Sequence, residues 1–413
     1  MTQTDLIIIG AGPGGYRAAE YAARQGLKVT IFEKDNVGGT CLNVGCIPTK
    51  TFVHSSTFAE AKERMAQVVS QLRSGVETLL SHPNITLVRG EARFIDAHSV
   101  ACPVCDDIVT ARNIIIATGS ETKWLPLEDL DDPRVVDSTE LLLLSEQPKR
   151  LAIIGAGVIG MEFASVFHRF GTEVTVIEYL KECLPALDSD IAKRLRKTME
   201  KRGVTFKMKT AVQSLGGIDA DCILMATGRK PRVSDDFNKA GFDYDERTGI
   251  RVDGHFQTTV NGIYAIGDVN GRQMLAHAAE MQAVHAVNQI VGKTDHIRFD
   301  IMPAAIFTTP EAACVGLSED LCKERDIPYE CRKAFHRANG KALTMNETDG
   351  LLKLLSEPQA GRIIGCHAFG AHSADMVQEV SVLMCRDTTV GQLRDMVHIH
   401  PTLSELVLAA AEQ

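Results

Sequence analysis

Two stretches of the chain repeat the same succession of apolar and small residues. Residues 5–34, DLIIIGAGPGGYRAAEYAARQGLKVTIFEK, and residues 150–179, RLAIIGAGVIGMEFASVFHRFGTEVTVIEY, each contain an apolar strand, a glycine turn, an alanine-rich helix and a second strand ending in glutamate. The first glycine stands 23 residues before that glutamate in both copies, Gly10 to Glu33 and Gly155 to Glu178. The pattern indicates an internal duplication of a nucleotide-binding unit.

The glycine turns have a chemistry of their own. Glycines permit a tight turn, close approach of the backbone to a pyrophosphate and tight packing of helix on strand, while the helix N-terminus offers unpaired N–H groups. The final glutamate can accept hydrogen bonds from an adenosine ribose. The alternative is a pair of packing turns without a ligand. The predicted cofactor-binding residues of the two copies are Gly10, Gly12, Pro13, Gly14, Gly15, Glu33, Lys34, Gly155, Gly157, Ile159, Gly160 and Glu178.

The remaining pattern predicts three domains. RNIIIATGS (112–120) and DCILMATGRKPR (221–232) are strands that lead into loops at matching places after the two turns. GIYAIGDV (262–269) is a strand and LAHAAEMQAVHAVNQIVG (275–292) a helix. We expect an α/β chain with a first domain of 1–148 resumed at 249–293, a second of 149–248, and a C-terminal α+β domain of 300–413.

Composition narrows the possible partners. The 413 residues exceed what one hydrophobic core usually serves, and 45% apolar with 23% charged residues is ordinary for a globular protein. A net charge of -9 argues against nucleic acid or an anionic membrane as partner, because both need a basic surface. The start MTQTDLIIIG lacks the pattern of a secretory signal, so we expect a cytoplasmic protein whose 11 cysteines are mostly reduced.

One cysteine pair stands in an unusual context. In GGTCLNVGCIPTK (38–50), Cys41 and Cys46 lie among glycines and small polar residues, and the segment ends in Lys50. A buried structural pair would be expected among apolar neighbours, and a zinc site would need two further ligands nearby. We therefore predict no metal site here, and two free thiols in a glycine-rich turn remain the plain alternative.

Several segments together resemble the flavoprotein disulfide reductases of the class I pyridine nucleotide-disulfide oxidoreductase family, and most closely the dihydrolipoamide dehydrogenases. The similarity runs nearly end to end, and its most specific segments are GGTCLNVGCIPTK, GAGVIGMEFASVF, ATGRKP, AIGDV, MLAHAAE and HIHPTLSE. The resemblance implies two Rossmann-like domains, for FAD (1–148 with 249–293) and NAD (149–248), and a dimerisation domain (300–413).

The resemblance also implies roles for individual residues. Cys41 would exchange with substrate and Cys46 would face the flavin, the two alternating between disulfide and dithiol. A helix N-terminus beside a lysine lowers a thiol pKa, and so short a loop gives an easily reduced disulfide, in agreement with these roles. Lys50 would pair with Glu162 near the flavin. Further cofactor-binding residues implied are Gly39, Thr40, Ala92 on the adenine side, Ala117, Thr118, Gly119, Asp268, Met274, Leu275, Ala276, His277, Ala226, Gly228 and Arg229.

The segment HIHPTLSE supplies the base that thiol exchange requires. Histidine is the side chain whose unperturbed pKa suits proton transfer near neutral pH. By the family pattern, His400 would be the catalytic base, Glu405 would orient its ring, and His398 would be structural. The resemblance implies that His400 acts on the cysteine pair of the other subunit, so we expect a homodimer with a shared active site.

Glu178 bears on the coenzyme. A carboxylate there accepts from a 2'-hydroxyl and repels a 2'-phosphate, which favours NAD and disfavours the NADPH-dependent glutathione and trypanothione reductases. The implied reaction is oxidation of dihydrolipoamide to lipoamide with reduction of NAD+. The implied partner is a lipoyl-bearing domain of a 2-oxo acid dehydrogenase or glycine cleavage complex.

Two departures and three rival hypotheses accompany this interpretation. Compared with the family that the chain resembles, the connection KTAVQSLGGIDADC is short, so we expect the second domain to lack most of a strand pair. We interpret ACPVC (101–105) as an incidental hairpin. The rivals are a reductase of another disulfide, such as a small thiol or coenzyme A disulfide, a subunit that mainly docks on a large complex, and a redox sensor that uses Cys102 and Cys105.

Overall fold

The computed structural model describes residues 2–103 and 107–413, which fall into two compact units. The first unit comprises Met1–Trp124, Ser138–Leu143 and Gly228–Ile297. The second unit comprises Leu125–Asp137, Leu144–Thr227 and Arg298–Gln413. The division into three domains at the boundaries given above stays a prediction. Cys105 of the ACPVC segment lies outside the described residues, while Cys102 is buried at the end of a strand.

The elements of residues 2–148 follow in chain order. They are β1 (Thr2–Ile9), α1 (Pro13–Arg24), β2 (Val29–Glu33), α2 (Gly39–Val44), α3 (Cys46–Val53), α4 (Phe58–Leu80), β3 (Ile85–Arg89), β4 (Arg93–Asp96), β5 (Ser99–Cys102), β6 (Asp107–Ile116), β7 (Ser120–Thr122), β8 (Val135–Val136) and α5 (Ser138–Leu143).

The elements of residues 149–292 begin with the second copy of the repeat. They are β9 (Arg150–Ile154), α6 (Val158–Arg169), β10 (Glu173–Ile177), α7 (Ser189–Arg202), β11 (Thr205–Lys207), β12 (Cys222–Met225), β13 (Arg229–Pro231), α8 (Phe237–Ala240), β14 (Tyr244–Asp245), β15 (Gly249–Ile250), β16 (Ile263–Ala265), a 3-10 turn (Gly267–Asn270) and α9 (Ala276–Val291).

The C-terminal elements alternate antiparallel strands with helices. They are β17 (Ala304–Ile306), β18 (Ala312–Gly316), α10 (Glu319–Glu324), β19 (Glu330–Phe335), a 3-10 turn (His336–Ala338), α11 (Gly340–Met345), β20 (Leu351–Ser356), β21 (Ile363–Phe369), α12 (Ser373–Cys385), α13 (Val390–Arg394) and α14 (Glu405–Ala411).

The first unit is built on a sheet with a parallel centre. Its strand order is β3-β2-β1-β6-β5-β4, and β16 also pairs with β6. The pairs of β1 with β2 and β6 and of β16 with β6 are parallel, whereas β4, β5 and β6 pair antiparallel. The carboxyl ends of parallel strands meet at one edge of a sheet, where ligands of such folds bind. The ends of β1, β6 and β16 therefore bring Gly10, Ala117 and Gly267 to one edge.

The second unit contains two sheets. The parallel sheet β11-β10-β9-β12-β8 contains the second glycine turn. The antiparallel sheet β17-β18-β21-β20-β19 packs its buried residues into one core with α12 and α14, as the burial of Leu352, Leu354, Val377 and Leu406 shows. Both sheet types agree with the predicted α/β chain with an α+β C-terminal part.

The compressed connection is a loop held by side chains. No strand forms in residues 208–221, all of which are described. Arg134 Nη1 donates to the carbonyls of Ile218 (2.9 Å) and Ala220 (3.2 Å), and Asp129 Oδ2 accepts from the N–H groups of Leu215 (2.6 Å) and Gly216 (3.2 Å). Leu215 and Ile218 pack with the parallel sheet, so the short segment covers part of its face.

Within the described ranges, no helix is both long enough and apolar enough to cross a membrane.

Candidate active site

The two glycine turns share one geometry. Gly10 and Gly155 have φ of +99° and +106°, and a Cβ at either would lie 2.4 Å from a carbonyl oxygen of the neighbouring strand loop. A Cβ on Gly15 would lie 1.8 Å from Gly10 O, and one on Gly160 2.0 Å from Gly155 O. Only glycine fits these four positions. Gly10 and Gly155 combine a positive φ with close approach to the neighbouring loop, whereas Gly15 and Gly160 let the helix pack directly on the turn that precedes it.

Gly12 and Gly157 are different, because no protein atom requires glycine there. Their backbones are extended, with φ of -71° and -76°, which any residue can adopt. A Cβ on Gly157 would meet nothing within 4 Å, and one on Gly12 only Gly39 Cα at 3.9 Å. Both begin helices whose N-caps make no side-chain hydrogen bond. Open space beside a helix N-terminus fits the pyrophosphate of a dinucleotide, so the residues present fit FAD and NAD.

Glu33 and Glu178 hold the turns through both carboxylate oxygens. Glu33 accepts from the N–H groups of Ala11 (2.7 Å) and Asp35 (2.9 Å). Glu178 accepts from those of Ala156 (2.6 Å) and Leu180 (2.7 Å). Each carboxylate oxygen has two lone pairs, so one remains for a ribose hydroxyl. The equal spacing found in the sequence thus produces equal contacts in the two units.

The cysteine segment docks directly on the first turn. Gly39, at the start of α2, has φ of +58°, and a Cβ there would lie 2.7 Å from Gly12 Cα. The N–H of Gly38 donates to Ala11 O at 2.8 Å. Cys41 lies in α2 and Cys46 begins α3, whose N-cap Gly45 makes no side-chain hydrogen bond. The fold therefore places both thiols next to a predicted pyrophosphate site.

The two thiols lie close together. A hydrogen bond with Cys46 and burial raise the pKa of Cys41, while the charge of Lys50 opposes this rise. Cys41 is half-buried and Cys46 exposed. Two sulfurs in hydrogen-bond contact can share one proton, and they are close enough to form a disulfide with a small adjustment. Their separate roles toward substrate and flavin stay predictions.

Asp268 lies in a small polar network of the first unit. Ser120 Oγ donates to Asp268 Oδ2 at 2.5 Å, and Arg229 donates to Ser120 Oγ and O, both at 2.7 Å. Burial raises the pKa of Asp268, although the Ser120 hydrogen bond and the Arg229 charge partly offset it. Sequence reasoning missed Ser120; the ATGS sequence at the strand end was the available signal.

The other predicted residues divide between the units. Gly228 and Arg229 belong to the first unit, whereas Ala226 directly follows β12 in the second. Lys34 is exposed and its Nζ lies 3.5 Å from Glu91 Oε1. The rest of the predicted flavin-site residues all lie in the first unit, in α2, in loops or at the start of α9: Thr40, Ala92, Thr118, Gly119, Met274, Leu275, Ala276 and His277.

Lys50 and Glu162 lie in separate units, and their pairing stays a prediction. Lys50 follows Cys46 by one helical turn in α3. Glu162 is buried in α6, and its Oε1 accepts from the N–H of Phe307 at 2.9 Å. Glu162 lies in the second turn of α6, where a charged side chain is usually exposed, so its burial is a feature that the sequence pattern alone does not give.

His400 and Glu405 form a hydrogen-bonded pair. His400 Nδ1 lies 2.8 Å from Glu405 Oε1, and Glu405 Oε2 accepts from the N–H of Thr402 at 2.8 Å. The Thr402 and His400 hydrogen bonds lower the pKa of Glu405. The His400 side chain is 79% exposed, whereas that of His398 is 7% exposed and bonded to Glu379 at 2.9 Å. An anionic Glu405 fixes the tautomer that leaves His400 Nε2 as a proton acceptor.

Comparison with known proteins identifies the family. The family described as pyridine nucleotide-disulphide oxidoreductase matches residues 4–283, and its dimerisation domain matches residues 302–411. The chain is 37% identical to a mitochondrial dihydrolipoyl dehydrogenase of Pisum sativum, over 99% of this chain and 91% of the relative. It is also 37% identical to a leghemoglobin reductase of Glycine max, over 99% and 87%. The pea alignment spans 455 positions against 413 residues here, which agrees with a shortened chain.

A solved structure gives the same result. The HOCl-induced flavoprotein disulfide reductase RclA from Escherichia coli superposes with a TM-score of 0.92 at 31% identity, covering 99% of both chains. The predicted fold class is therefore confirmed, as are the enzyme class and the cofactors. The chain belongs to the pyridine nucleotide-disulphide oxidoreductase family, and it is a flavoprotein disulfide oxidoreductase that uses FAD and a nicotinamide dinucleotide.

Proposed function

We propose that the chain oxidises dihydrolipoamide to lipoamide and reduces NAD+ through a Cys41–Cys46 disulfide. The observation that carries the proposal is the hydrogen-bonded thiol pair docked on the first glycine turn. The substrate follows the names of the relatives, among which dihydrolipoyl dehydrogenases match nearly the whole chain. A lipoyl-bearing domain of a 2-oxo acid dehydrogenase or glycine cleavage complex is the proposed partner.

His400 begins the reaction by accepting a proton at Nε2 from one thiol of the substrate. The resulting thiolate attacks Cys41 Sγ, the Cys41–Cys46 bond breaks, and Cys46 leaves as a thiolate. The second substrate thiol then attacks the substrate sulfur bound to Cys41, which closes lipoamide and releases Cys41 to take a proton. The substrate has lost two electrons and two protons, and the cysteine pair has gained the electrons. Bound FAD supplies the two-electron chemistry that passes them to NAD+.

Residues of this chain orient the base, stabilise the thiolate and select the coenzyme. Glu405 orients the imidazole and stabilises its cation. The helix N-terminus at Cys46 and the charge of Lys50 stabilise the thiolate. Glu178 accepts from a ribose hydroxyl and repels a 2'-phosphate. No basic residue stands at this position, the next one being Lys181 three residues later, so NAD is the proposed coenzyme.

A homodimer is the proposed working form. The dimerisation domain matched at residues 302–411 supports it. A general base exposed on its own chain suits a site completed by another subunit, so we propose that His400 serves the partner's cysteine pair. The pairing of Lys50 with Glu162 belongs to the same proposal.

Reduction of a different disulfide is the second candidate. The 31% identity to the HOCl-induced reductase RclA, over 99% of both chains, favours it. The two candidates differ in which dithiol or disulfide exchanges electrons with Cys41, because the cofactors and the cysteine pair are common to both.

Anaerobic titration of the purified enzyme with dihydrolipoamide separates the candidates. Flavin reduction by dihydrolipoamide, followed by NADH formation on addition of NAD+ and little NADPH formation with NADP+, supports the proposal. A flavin that stays oxidised with dihydrolipoamide but bleaches with NADH contradicts it and favours the second candidate.

Two matched controls sharpen the titration. Cys46→Ser should abolish NADH formation, whereas Cys385→Ser, at another exposed thiol, should not. His400→Gln should slow flavin reduction by about 100-fold or more, the usual contribution of a general base. His372→Gln, at an exposed histidine paired with Asp375 at 3.0 Å, should leave the rate unchanged.

A further inference from the structure

The segment that presents His400 has no backbone anchor of its own. Within the described ranges, the N–H and C=O groups of residues 397–400 make no hydrogen bond to another backbone group. Val397 is fully exposed, Ile399 is 78% exposed, and the side chain of His400 is exposed as well. The position of His400 must therefore be set by contacts of side chains.

His398 is the buried side chain of this segment, with 7% of its surface exposed. Its Nε2 lies 2.9 Å from Glu379 Oε1, and its Nδ1 lies 3.1 Å from Met396 O. Two oxygen partners suit a doubly protonated ring, which donates from both nitrogens. The ring is thus held from two sides, at a position two residues before His400.

Glu379 is a partner on a rigid element. It lies in α12, whose residues Met376, Val377 and Val380 are buried in the core of the C-terminal sheet and helices. A side chain on a packed helix holds its partner in place more precisely than one on a loop does. The contact with Glu379 therefore ties the segment of His398 to this core.

A second anchor follows His400. Asn339 Nδ2 donates to Thr402 O at 3.0 Å, and the N–H of Thr402 donates to Glu405 Oε2 at 2.8 Å. Asn339 is itself buried at the start of α11. His400 thus stands between two fixed points, His398 before it and Thr402 after it, and loss of either point would leave a longer free segment.

We propose that His398, held by Glu379, is a positioning residue for His400 in thiol–disulfide exchange. Glu405 orients the imidazole of His400 within the segment, and His398 fixes the place of the segment itself. Displacement of a catalytic group by about 1 Å can lower a rate about 100-fold. The inference rests on the proposed role of His400 as the base, but it holds for any dithiol that the enzyme oxidises.

Stopped-flow mixing of the oxidised holoenzyme with a dithiol tests the proposal. Dihydrolipoamide and dithiothreitol are used in parallel, and flavin absorption follows the transfer of electrons from the dithiol. His398→Ala and Glu379→Ala should each slow this transfer by about 10–100-fold. The double variant should be no slower than either single variant, because all three lack the same contact.

Mixing the same variants with NADH separates positioning from general damage. Electron transfer from NADH to the flavin needs no proton acceptor for a thiol, so its rate should equal that of the parent. His398→Gln should recover most of the dithiol rate, because a glutamine amide N–H can donate to Glu379 from near the place of the imidazole Nε2. The matched control is His372→Ala, at the exposed histidine paired with Asp375 at 3.0 Å, which should react like the parent.

Three results would overturn the proposal. They are a dithiol rate in His398→Ala equal to that of the parent, a parallel loss of the NADH rate, and sedimentation of this variant as a smaller species than the parent, which would assign His398 to assembly. A parent that reacts with dithiothreitol but not with dihydrolipoamide contradicts the proposed substrate, and the comparison of variants with dithiothreitol still decides the role of His398.

Discussion

The two glycine turns have the same backbone and different surroundings. In the first turn, a Cβ on Gly14 would lie 3.2 Å from Ile266 Cδ1 and 3.3 Å from Ala279 O, whereas the matching position of the second turn is Ile159. Glu33 is buried, while Glu178 is only half-buried and is followed by Tyr179, which is 73% exposed. One turn is packed inside its unit and the other is open at its rim.

The packed first turn suits a cofactor that stays bound, and the open second turn suits a cofactor that exchanges. A ligand packed by several elements is released slowly, because release must undo those contacts, whereas a ligand at an open rim leaves without such a change. In the proposed reaction FAD stays with the enzyme through turnover, while the nicotinamide coenzyme must enter and leave in each cycle. If FAD binds at the first turn and the coenzyme at the second, as proposed, the duplication supplied one binding device and the packing around each copy specialised it.

The most severe test substitutes the glycine that holds helix against strand. Gly15→Ala and Gly160→Ala would place a Cβ 1.8 and 2.0 Å from a carbonyl oxygen, so each turn must break. Gly15→Ala should purify without flavin, and Gly160→Ala should keep flavin but lose NADH formation. Visible absorption and turnover measure the two outcomes.

The matched control for both is Gly75→Ala. Gly75 lies inside α4, where a Cβ would meet nothing within 4 Å, so alanine should stabilise the protein by about 0.5–1 kcal/mol. If Gly15→Ala retained flavin as well as Gly160→Ala does, the division of labour between the turns would be wrong.

A milder change fills the space reserved for phosphate. Gly157→Ala should leave the fold and the flavin unchanged, because no protein atom lies within 4 Å of the added Cβ. Crowding of the pyrophosphate should cost about 1–3 kcal/mol, which raises the KM for NAD+ by about 5–150-fold. Steady-state kinetics against NAD+ measure it, and the KM for dihydrolipoamide serves as internal control. An unchanged KM for NAD+ would mean that the coenzyme binds elsewhere.

Replacing the carboxylate of the open turn should have a smaller effect. Glu178→Gln keeps the shape of the side chain, but it removes the charge and leaves one oxygen to accept a backbone N–H where two accepted before, at a cost of about 1 kcal/mol. The KM for NAD+ should rise about fivefold, and discrimination against NADP+ should fall. Kinetics with both coenzymes provide the measurement, with Glu173→Gln, an exposed residue of the same strand, as control. Stronger discrimination against NADP+ would refute the assigned role.

The smallest effect concerns Asp268, which lies in the first unit, and the pH dependence of the free energy of unfolding. Burial raises the pKa of Asp268 above its unfolded value, so the folded protein binds this proton more tightly. The free energy of unfolding should therefore fall as pH rises from the unfolded pKa, about 3.9, through the folded pKa. Asp268→Asn should remove this decline.

Urea unfolding at a series of pH values, with both proteins in the same cofactor state, gives the measurement. Asp245→Asn is a control with the opposite pH dependence. Backbone N–H groups of Thr248 and Arg247 lower the pKa of Asp245, so the contribution of Asp245 to the free energy of unfolding is lost as pH falls. If Asp268→Asn left the pH profile of the free energy of unfolding unchanged, the assignment of a raised pKa would fail.

The sequence allowed prediction of what depends on local pattern. The spacing of Gly10 to Glu33 predicted a strand, a turn and a carboxylate, and each is a property of about 30 consecutive residues. The cysteine segment was equally recognisable, because Gly38, Gly39 and Gly45 mark the bends around its two short helices.

Other contacts depend on residues far apart in the chain and could not be predicted. Arg229 reaches Ser120 because β13 pairs with β7 across more than 100 residues. Lys353 stands in GLLKLLS, where a strand pattern suggests an exposed lysine, yet carboxylates from α7 and α10 compensate its burial. His398 meets Glu379 only after α12 packs beside the segment of His398. Such contacts follow from tertiary packing, which no local pattern contains.

The short segment at residues 208–221 has a practical consequence for protein engineering. Two side chains, those of Asp129 and Arg134, bind its backbone by hydrogen bonds, and Leu215 is buried against the sheet beneath. Insertions are tolerated best where the backbone is exposed and makes no such bonds. A reporter peptide spliced at Gly216 or Gly217 would disturb the Gly216 N–H bond to Asp129 and the buried Leu215 beside it, so engineering of this chain should leave the segment intact.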